Sequence, residues 1–279
     1  MRVAVTGAHG SVGQEVVKLA AKHNWDIIEI DRTERDANDH PFNEKRTADI
    51  SGSYEETVKA FKGADAVIHL AAIPNPVDKE DSLVHSSNVN AAFNGFRAAA
   101  ELGIKRICYA SSVNAIGLAF SNQPNEFDYF PIDEDYAQRP TDSYALAKQE
   151  AETQARAFVR WFPFVKIACL RIHQVAPRQK VQDEHQKDPE TALKQLWGWV
   201  SPEATARACM QAVENADNFE GAEIFNIVAP TTTQSVSSSE LAREHYPKAE
   251  IRAGMEGNNA FWTTMKAREI LKWEHREEE

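Results

Sequence analysis

TGAHGSVG, residues 6–13, stands directly after the apolar run VAVT (3–6) and directly before an amphipathic stretch, 10–23. Glycines at 7, 10 and 13 let a backbone turn tightly and come close to a pyrophosphate, and the N–H groups and dipole of the helix that follows favour an anion. Strand, glycine turn and helix in that order are the opening of a dinucleotide-binding βαβ unit. Asp31 ends the second apolar run, DIIEI (26–30), about twenty residues beyond the glycines. A carboxylate there accepts hydrogen bonds from the adenosine ribose hydroxyls and repels a 2′-phosphate, so NAD is favoured as cofactor over NADP. Arg32 beside it is placed to stack on adenine or to offset a phosphate, which keeps NADP as the lesser alternative. Asp49, with Ile50, closes the third predicted strand (47–50) at the adenine edge.

The same rhythm continues outward. A helix is predicted over 54–61, the run DAVIHLAA over 65–72, a long helix over 82–102 and the strand IKRICYASS over 104–112. A third long helix is predicted over 143–161, then VKIACLRI over 165–172. The strands scarcely alternate, as expected where both faces of a parallel sheet are buried. The fold class is therefore α/β, a Rossmann doubly wound parallel sheet of six strands with helices on both faces. Residues 1–175 form the dinucleotide-binding domain, and 176–279 a small C-terminal substrate-binding lobe interleaved with it. A helix after Ser201 and the strand EIFNIV (223–228) are apolar enough to return to the large sheet, so the segment 202–228 is assigned to it. A Trp-containing helix is predicted around 193–199, and the serines before Glu240 read as a helix cap.

Ser112, Tyr144 and Lys148 form the second constellation. Tyr and Lys four apart in SYALAK share one helix face. An ammonium beside a phenol favours phenolate and lowers its pKa from about 10, so Tyr144 reads as a general acid or base on a hydroxyl. Ser112, at the carboxyl end of a strand where α/β sheets place ligands, is positioned to hold the reacting oxygen. Asn114 follows on the same loop as a substrate-contact candidate, and His173 and Gln174, after the sixth strand, are candidates facing the substrate.

The chain has 279 residues, 42% hydrophobic and 26% charged, with a formal net charge of −11. No apolar run approaches the ~20 residues of a membrane span. The acidic balance argues against a nucleic-acid partner, whose phosphates call for clustered Lys and Arg. The three cysteines, Cys108, Cys169 and Cys209, have no C-x-x-C spacing and read as free thiols in a reducing cytoplasm. MRVAVTG at the start already reads as a buried strand, so no leader segment is expected. His9 and His69 have no partner spaced for a metal or a triad and read as packing or cofactor contacts, and no metal site is expected. Trp197, Trp199 and Trp262 are expected to pack the small lobe. The tail EHREEE reads as solvated.

TGAHGSVG, Asp31, Asp49, HLAA (69–72), NVN (88–90), ASSVNAIG (110–117), YALAK (144–148) and LRIHQVAP (170–177) resemble, in order and spacing, the extended short-chain dehydrogenase/reductase family, also called the NAD-dependent epimerase/dehydratase family. The likeness covers residues 1–177 closely and AREILKW (267–273) more loosely. It implies Ser112, Tyr144 and Lys148 as the catalytic set, with Lys148 also holding the nicotinamide ribose. It further implies cofactor contacts from Ser11, Val12, Leu70, Ala71, Ala72, Asn88 and the backbone near Ile172.

The dehydratases of the family have Thr at the serine position followed by Asp-Glu, whereas Ser112 is followed by Val113 and Asn114, so dehydration is not expected. Nucleotide-sugar epimerases carry a larger C-terminal lobe, which favours a smaller substrate here. HLAAIPNP, ASSVNAIG and the short lobe look most like the hexuronate dehydrogenases, yet the arginine that those enzymes aim at the sugar carboxylate has no counterpart in 187–199. The expected function is NAD-dependent hydride transfer from a hydroxyl-bearing carbon of a small sugar, sugar acid or polyol. The alternatives are a nucleotide-sugar epimerase with tightly held NAD and a non-catalytic dinucleotide-sensing regulator. The helices at 82–102 and 143–161 suit a two-fold four-helix interface, so a homodimer is expected.

Overall fold

A computed structural model describes residues 1–34 and 43–276. The chain opens with β1 (Arg2–Thr6), α1 (Ser11–Lys22) and β2 (Asp26–Asp31), followed by the short β3 (Glu44–Thr47). Next come α2 (Tyr54–Phe61), β4 (Ala66–His69), α3 (Asp81–Glu101) and β5 (Arg106–Ser112). The two-residue β6 (Tyr129–Phe130), α4 (Ser143–Trp161) and β7 (Lys166–Ile172) complete the middle of the chain. Among the described residues seven strands make one parallel sheet, in the order β3-β2-β1-β4-β5-β7-β8, where β8 is Ala222–Ile227. The order reverses between β1 and β4, and the carboxyl ends of these strands open the crevice in which such sheets bind ligands.

The strands are apolar because both sheet faces are covered. One face packs on α1 and on α7 (Pro202–Glu214), in a core holding Val5, Val16, Leu170, Met210 and Phe225. The other packs on α2, α3 and α4, around Ile28, Phe61, Phe96 and Phe158. Segment 202–228 thus supplies both a covering helix and the seventh strand, β8, which pairs with β7 from Ile167↔Ala222 to Ile172↔Ile227. Cys108 and Cys209 face each other across the sheet–α7 contact, and all three cysteines are free and buried.

Three local expectations differ from what is found. The third strand lies at 44–47 rather than 47–50. EKRT is an edge strand with partly exposed side chains, which tolerates polar residues, while the apolar markers Ala48 and Ile50 are buried just beyond it. The helix expected at 193–199 ends earlier, as α6 (Pro189–Lys194). Leu196 and Trp197 then take positive φ, +52° and +50°, and the buried chain after them runs out to a bridge between Val200 and Val175. Ahead of α6 stands an unforeseen helix, α5 (Arg178–Lys187), in which only Val181 and His185 are buried, too few to print an apolar period. The Ser-rich segment does lead into a helix, α8 (Ser238–His245), but Ser237 at its start makes no capping bond.

A separate core joins the segment 113–136 to the C-terminal part of the chain, with Val113, Phe130, Tyr136, Leu196, Trp197, Phe261 and Trp262 buried together. β6 pairs there with β9 (Glu250–Ile251). Trp199 bonds the Thr231 carbonyl through Nε1 at 2.9 Å. Among the described residues no helix is long and apolar enough to cross a membrane.

Between α4, β5 and β7 lies an ion pair sealed from solvent. Glu152 and Arg171 side chains are 0% and 2% exposed. The Glu152 carboxylate accepts from Arg171 Nε (3.0 Å) and Nη2 (2.9 Å), from Ser111 Oγ (2.7 Å) and from Gln138 Nε2 (2.8 Å). Removing one partner of such a pair leaves an uncompensated buried charge. Glu152→Ala is therefore expected to lower stability by about 3–5 kcal/mol in urea titrations. Adding Arg171→Met to it should recover most of the loss.

Candidate active site

At the carboxyl end of β1 the chain enters the glycine turn with Gly7 at φ +65°. A Cβ on Gly13 would lie 2.2 Å from the Gly7 carbonyl oxygen and 2.7 Å from the Ala8 Cα, so only hydrogen lets the helix sit this close to the turn. Gly10 stands at the N-cap of α1 and no side chain caps the helix, which leaves its first N–H groups facing the groove. That groove, about 760 Å³, is lined by Gly7, Gly10, Ser11, Val12, Gly13, Asp31, Arg32, Asp49, Ile50, Leu70, Ala71 and Ala72. An uncapped helix start behind a turn with glycines at 7, 10 and 13 fits a pyrophosphate, and the residues present therefore suit a dinucleotide.

Asp31 is held at its end of the groove by the N–H groups of His9 (3.0 Å) and Arg32 (2.8 Å). Asp49 accepts from the Ser51 N–H (3.0 Å) and hydroxyl (2.7 Å). His69 is a packing residue: it takes the Thr6 hydroxyl at Nδ1 (2.7 Å) and bonds the Ala91 carbonyl from Nε2 (2.9 Å). Burial drives its pKa down to about 4 and keeps it neutral. Asn88 does not line the groove. Its carboxamide accepts from the Ile73 N–H (2.7 Å) and donates to the Ile73 carbonyl (3.0 Å), so it pins the loop after β4.

A second cavity of about 420 Å³ adjoins the groove, sharing Ser11, Val12, Leu70, Ala72 and Pro74 with it. Ser112, Asn114, Tyr144, Lys148, Ile172, His173 and Gln174 all line it. Asp142 starts α4 by accepting the Ala145 N–H (2.8 Å), which sets Tyr144 in the first turn and Lys148 one turn on. Asn114 donates to the Ser112 oxygen from its backbone N–H (3.1 Å) and from Nδ2 (3.3 Å). With two donors on its oxygen, the Ser112 hydroxyl has its own proton free to give to a ligand or to Tyr144.

Lys148 is not hydrogen-bonded to the Tyr144 phenol. Its Nζ donates to the Ala110 carbonyl at 2.6 Å and lies 5.6 Å from the centre of the Tyr144 ring. Burial lowers the Lys148 pKa to about 8. Burial likewise pushes Tyr144 up to about 12, against a downward pull from the Ser112 hydrogen bond, with the Asp142 charge adding to the rise. The expected fall of the phenol pKa is thus reversed in the chain by itself, because desolvation of a phenolate outweighs an ammonium that is not bonded to it.

His173 forms wall and offers no proton chemistry. Its Nδ1 accepts the Gln174 N–H (2.7 Å), its Nε2 donates to the Gln195 carbonyl (3.2 Å), and burial lowers its pKa to about 3. Asn75, Leu118, Phe120 and Gln195 also line the cavity and were not singled out from the sequence. Phe120 meets the Tyr144 ring edge-on at 5.8 Å. Asn75 follows the HLAA run closely enough to have been suspected; Gln195 carries no local signal.

The chain matches the model of the NAD dependent epimerase/dehydratase family over residues 3–228. It is 27% identical over 248 residues to an L-arabinose 1-dehydrogenase (NAD(P)(+)) of Haloferax volcanii, covering 87% of this chain and 93% of that one. A uronate dehydrogenase of Pseudomonas syringae pv. tomato is 25% identical over 156 residues, 55% of this chain and 52% of that one. In three dimensions the chain superposes on a UDP-glucose 4-epimerase of Thermotoga maritima with a TM-score of 0.73 at 19% identity, covering 100% of this chain and 94% of that one. A family model spanning strands β1 to β8, the glycine turn and both cavities leaves one assignment: this chain belongs to the NAD-dependent epimerase/dehydratase family.

Proposed function

We propose that the protein is an NAD-dependent dehydrogenase that oxidises a hydroxyl-bearing carbon of a small sugar, sugar acid or polyol. The observation behind this reading is the junction of the two cavities, where Ser112, Tyr144 and Lys148 meet the wall that α1 shares with the dinucleotide groove. When bound, NAD supplies the hydride acceptor and a positive charge beside the reacting carbon. Ser112 holds the substrate oxygen, and Tyr144 takes the hydroxyl proton as the C–H electron pair leaves with the hydride, giving a carbonyl. Lys148 holds the nicotinamide ribose. Net formation of NADH separates this reaction from epimerisation, in which the cofactor is regenerated, and from a sensor that only binds.

In this reading Asp31 receives the ribose hydroxyls, with Asp49 and Ile50 at the adenine. Residues 1–175 together with 202–228 bind the dinucleotide, the rest of 176–279 closes over the substrate, and the buried free thiols fit a reducing cytoplasm. Phe93 on α3 and Leu146 and Trp161 on α4 are exposed apolar side chains, 42%, 39% and 63% accessible. A second copy of the chain across these helices would bury them.

Three outcomes are expected. Tyr144→Phe should lower kcat by about 10²–10⁴-fold while leaving the NAD dissociation constant within about twofold, by steady-state kinetics and fluorescence titration. The parent protein should prefer NAD, and Asp31→Ala should weaken NAD by about 10-fold or more and narrow its margin over NADP. Sedimentation velocity should find a dimer that Trp161→Glu turns into a folded monomer.

A further inference from the structure

We infer that the substrate is an uncharged, polyhydroxylated molecule of the size of one free sugar ring, and that uronates, sugar phosphates and nucleotide sugars are discriminated against. This rests on the dehydrogenase reading for which carbon reacts, but not for what binds. Among the described residues lining the cavity, Lys148 is the one basic side chain with a lasting charge, and its Nζ is turned to the Ala110 carbonyl and the Tyr109 hydroxyl. Everything else polar at the substrate end is neutral: Asn75, Asn114, Gln174 and Gln195, with His173 bonded at both nitrogens. Arg178, on the helix that follows, lines a different cavity and donates to the Thr232 carbonyl.

The Gln174 carboxamide gives the sign of the preference. Its Nε2 donates to the Glu184 carboxylate at 2.6 Å, which settles which end of the amide is oxygen. Its Oε1 is buried and, among the described residues, has no hydrogen-bond partner. Gln174 lines the cavity, so a small turn of its amide would offer this acceptor to a donor there, and a sugar hydroxyl is such a donor. A carboxylate or phosphate group presents lone pairs instead, with the Glu184 charge behind Gln174 adding to the repulsion. Such an anion would lose its water in a cavity whose one lasting positive side chain, Lys148, is bonded to the Ala110 carbonyl at the cofactor end. At about 420 Å³, and with the nicotinamide to admit as well, the cavity leaves room for a single ring.

The test is calorimetric titration of the Tyr144→Phe protein saturated with NAD, and of the wild-type protein saturated with NADH, which cannot accept a hydride. L-Arabinose, D-galactose, D-galacturonate, D-galactose 6-phosphate and UDP-galactose are the probes. At least one neutral aldose should bind 10-fold or more tightly than every charged probe, and Gln174→Leu should weaken it about 5- to 10-fold with NAD binding unchanged. A charged probe that binds as well as the best aldose, or no binding by any probe, overturns the inference. Selective aldose binding without NADH formation by the wild-type enzyme supports the inference and overturns the dehydrogenase reading.

Discussion

The site hangs on one carboxylate. Glu152 accepts four hydrogen bonds in a place that water does not reach, three of them from strands β5 and β7, whose ends carry candidate site residues, and one from Gln138 in the loop before α4. Ser111 is the neighbour of Ser112, Arg171 precedes Ile172 and His173, and Glu152 itself lies on the α4 stripe of Tyr144 and Lys148, at steps of four residues. An ion pair in water would contribute little to stability. Buried and fully bonded, this one acts as a geometric lock, because any displacement of α4 against β5 or β7 strands a charge.

The two halves of the site are built on different principles. In the dinucleotide groove the backbone does the work: a turn opened by glycines, a helix start with its N–H groups uncapped, and Asp31 aligned by two N–H groups. In the adjoining cavity the side chains are set by one another, with Asn114 holding Ser112 and Asp142 starting the helix that carries Tyr144. Burial keeps the Tyr144 phenol protonated in the chain by itself. The base role proposed for Tyr144 therefore calls for its phenolate, which the positive charge of a bound NAD would favour.

The sheet and its dinucleotide end were legible because their signals are local. Doubly buried strands print continuous apolar runs, and the glycines at 7, 10 and 13 answer to a steric demand within one turn. Legibility fell where burial was partial or long-range. β3 is a polar edge strand whose apolar neighbours drew the boundary off by three residues, and α5 buries only two side chains. The bonds of Asn88 and His173 to Ile73 and Gln195 depend on chain segments that no spacing rule connects. Desolvation of Tyr144 was invisible for the same reason, since it depends on how Phe120 and the sheet close around the ring.

The return of α7 and β8 to the main sheet affects how the chain comes into being. While the ribosome is still making residues before 202, β1, β4, β5 and β7 can already pair, but α1 alone covers a face that it shares with α7 in the finished molecule. The nascent protein thus displays an unroofed apolar surface, the kind of surface that chaperones recognise and that neighbouring chains on a polysome stick to. Closure comes late: α7 must dock, β8 must add to β7, and Trp273 must reach back to bond the Ala204 carbonyl at 2.8 Å. Synthesis order and assembly order are therefore out of step, and the nucleotide-binding half has to wait for its roof.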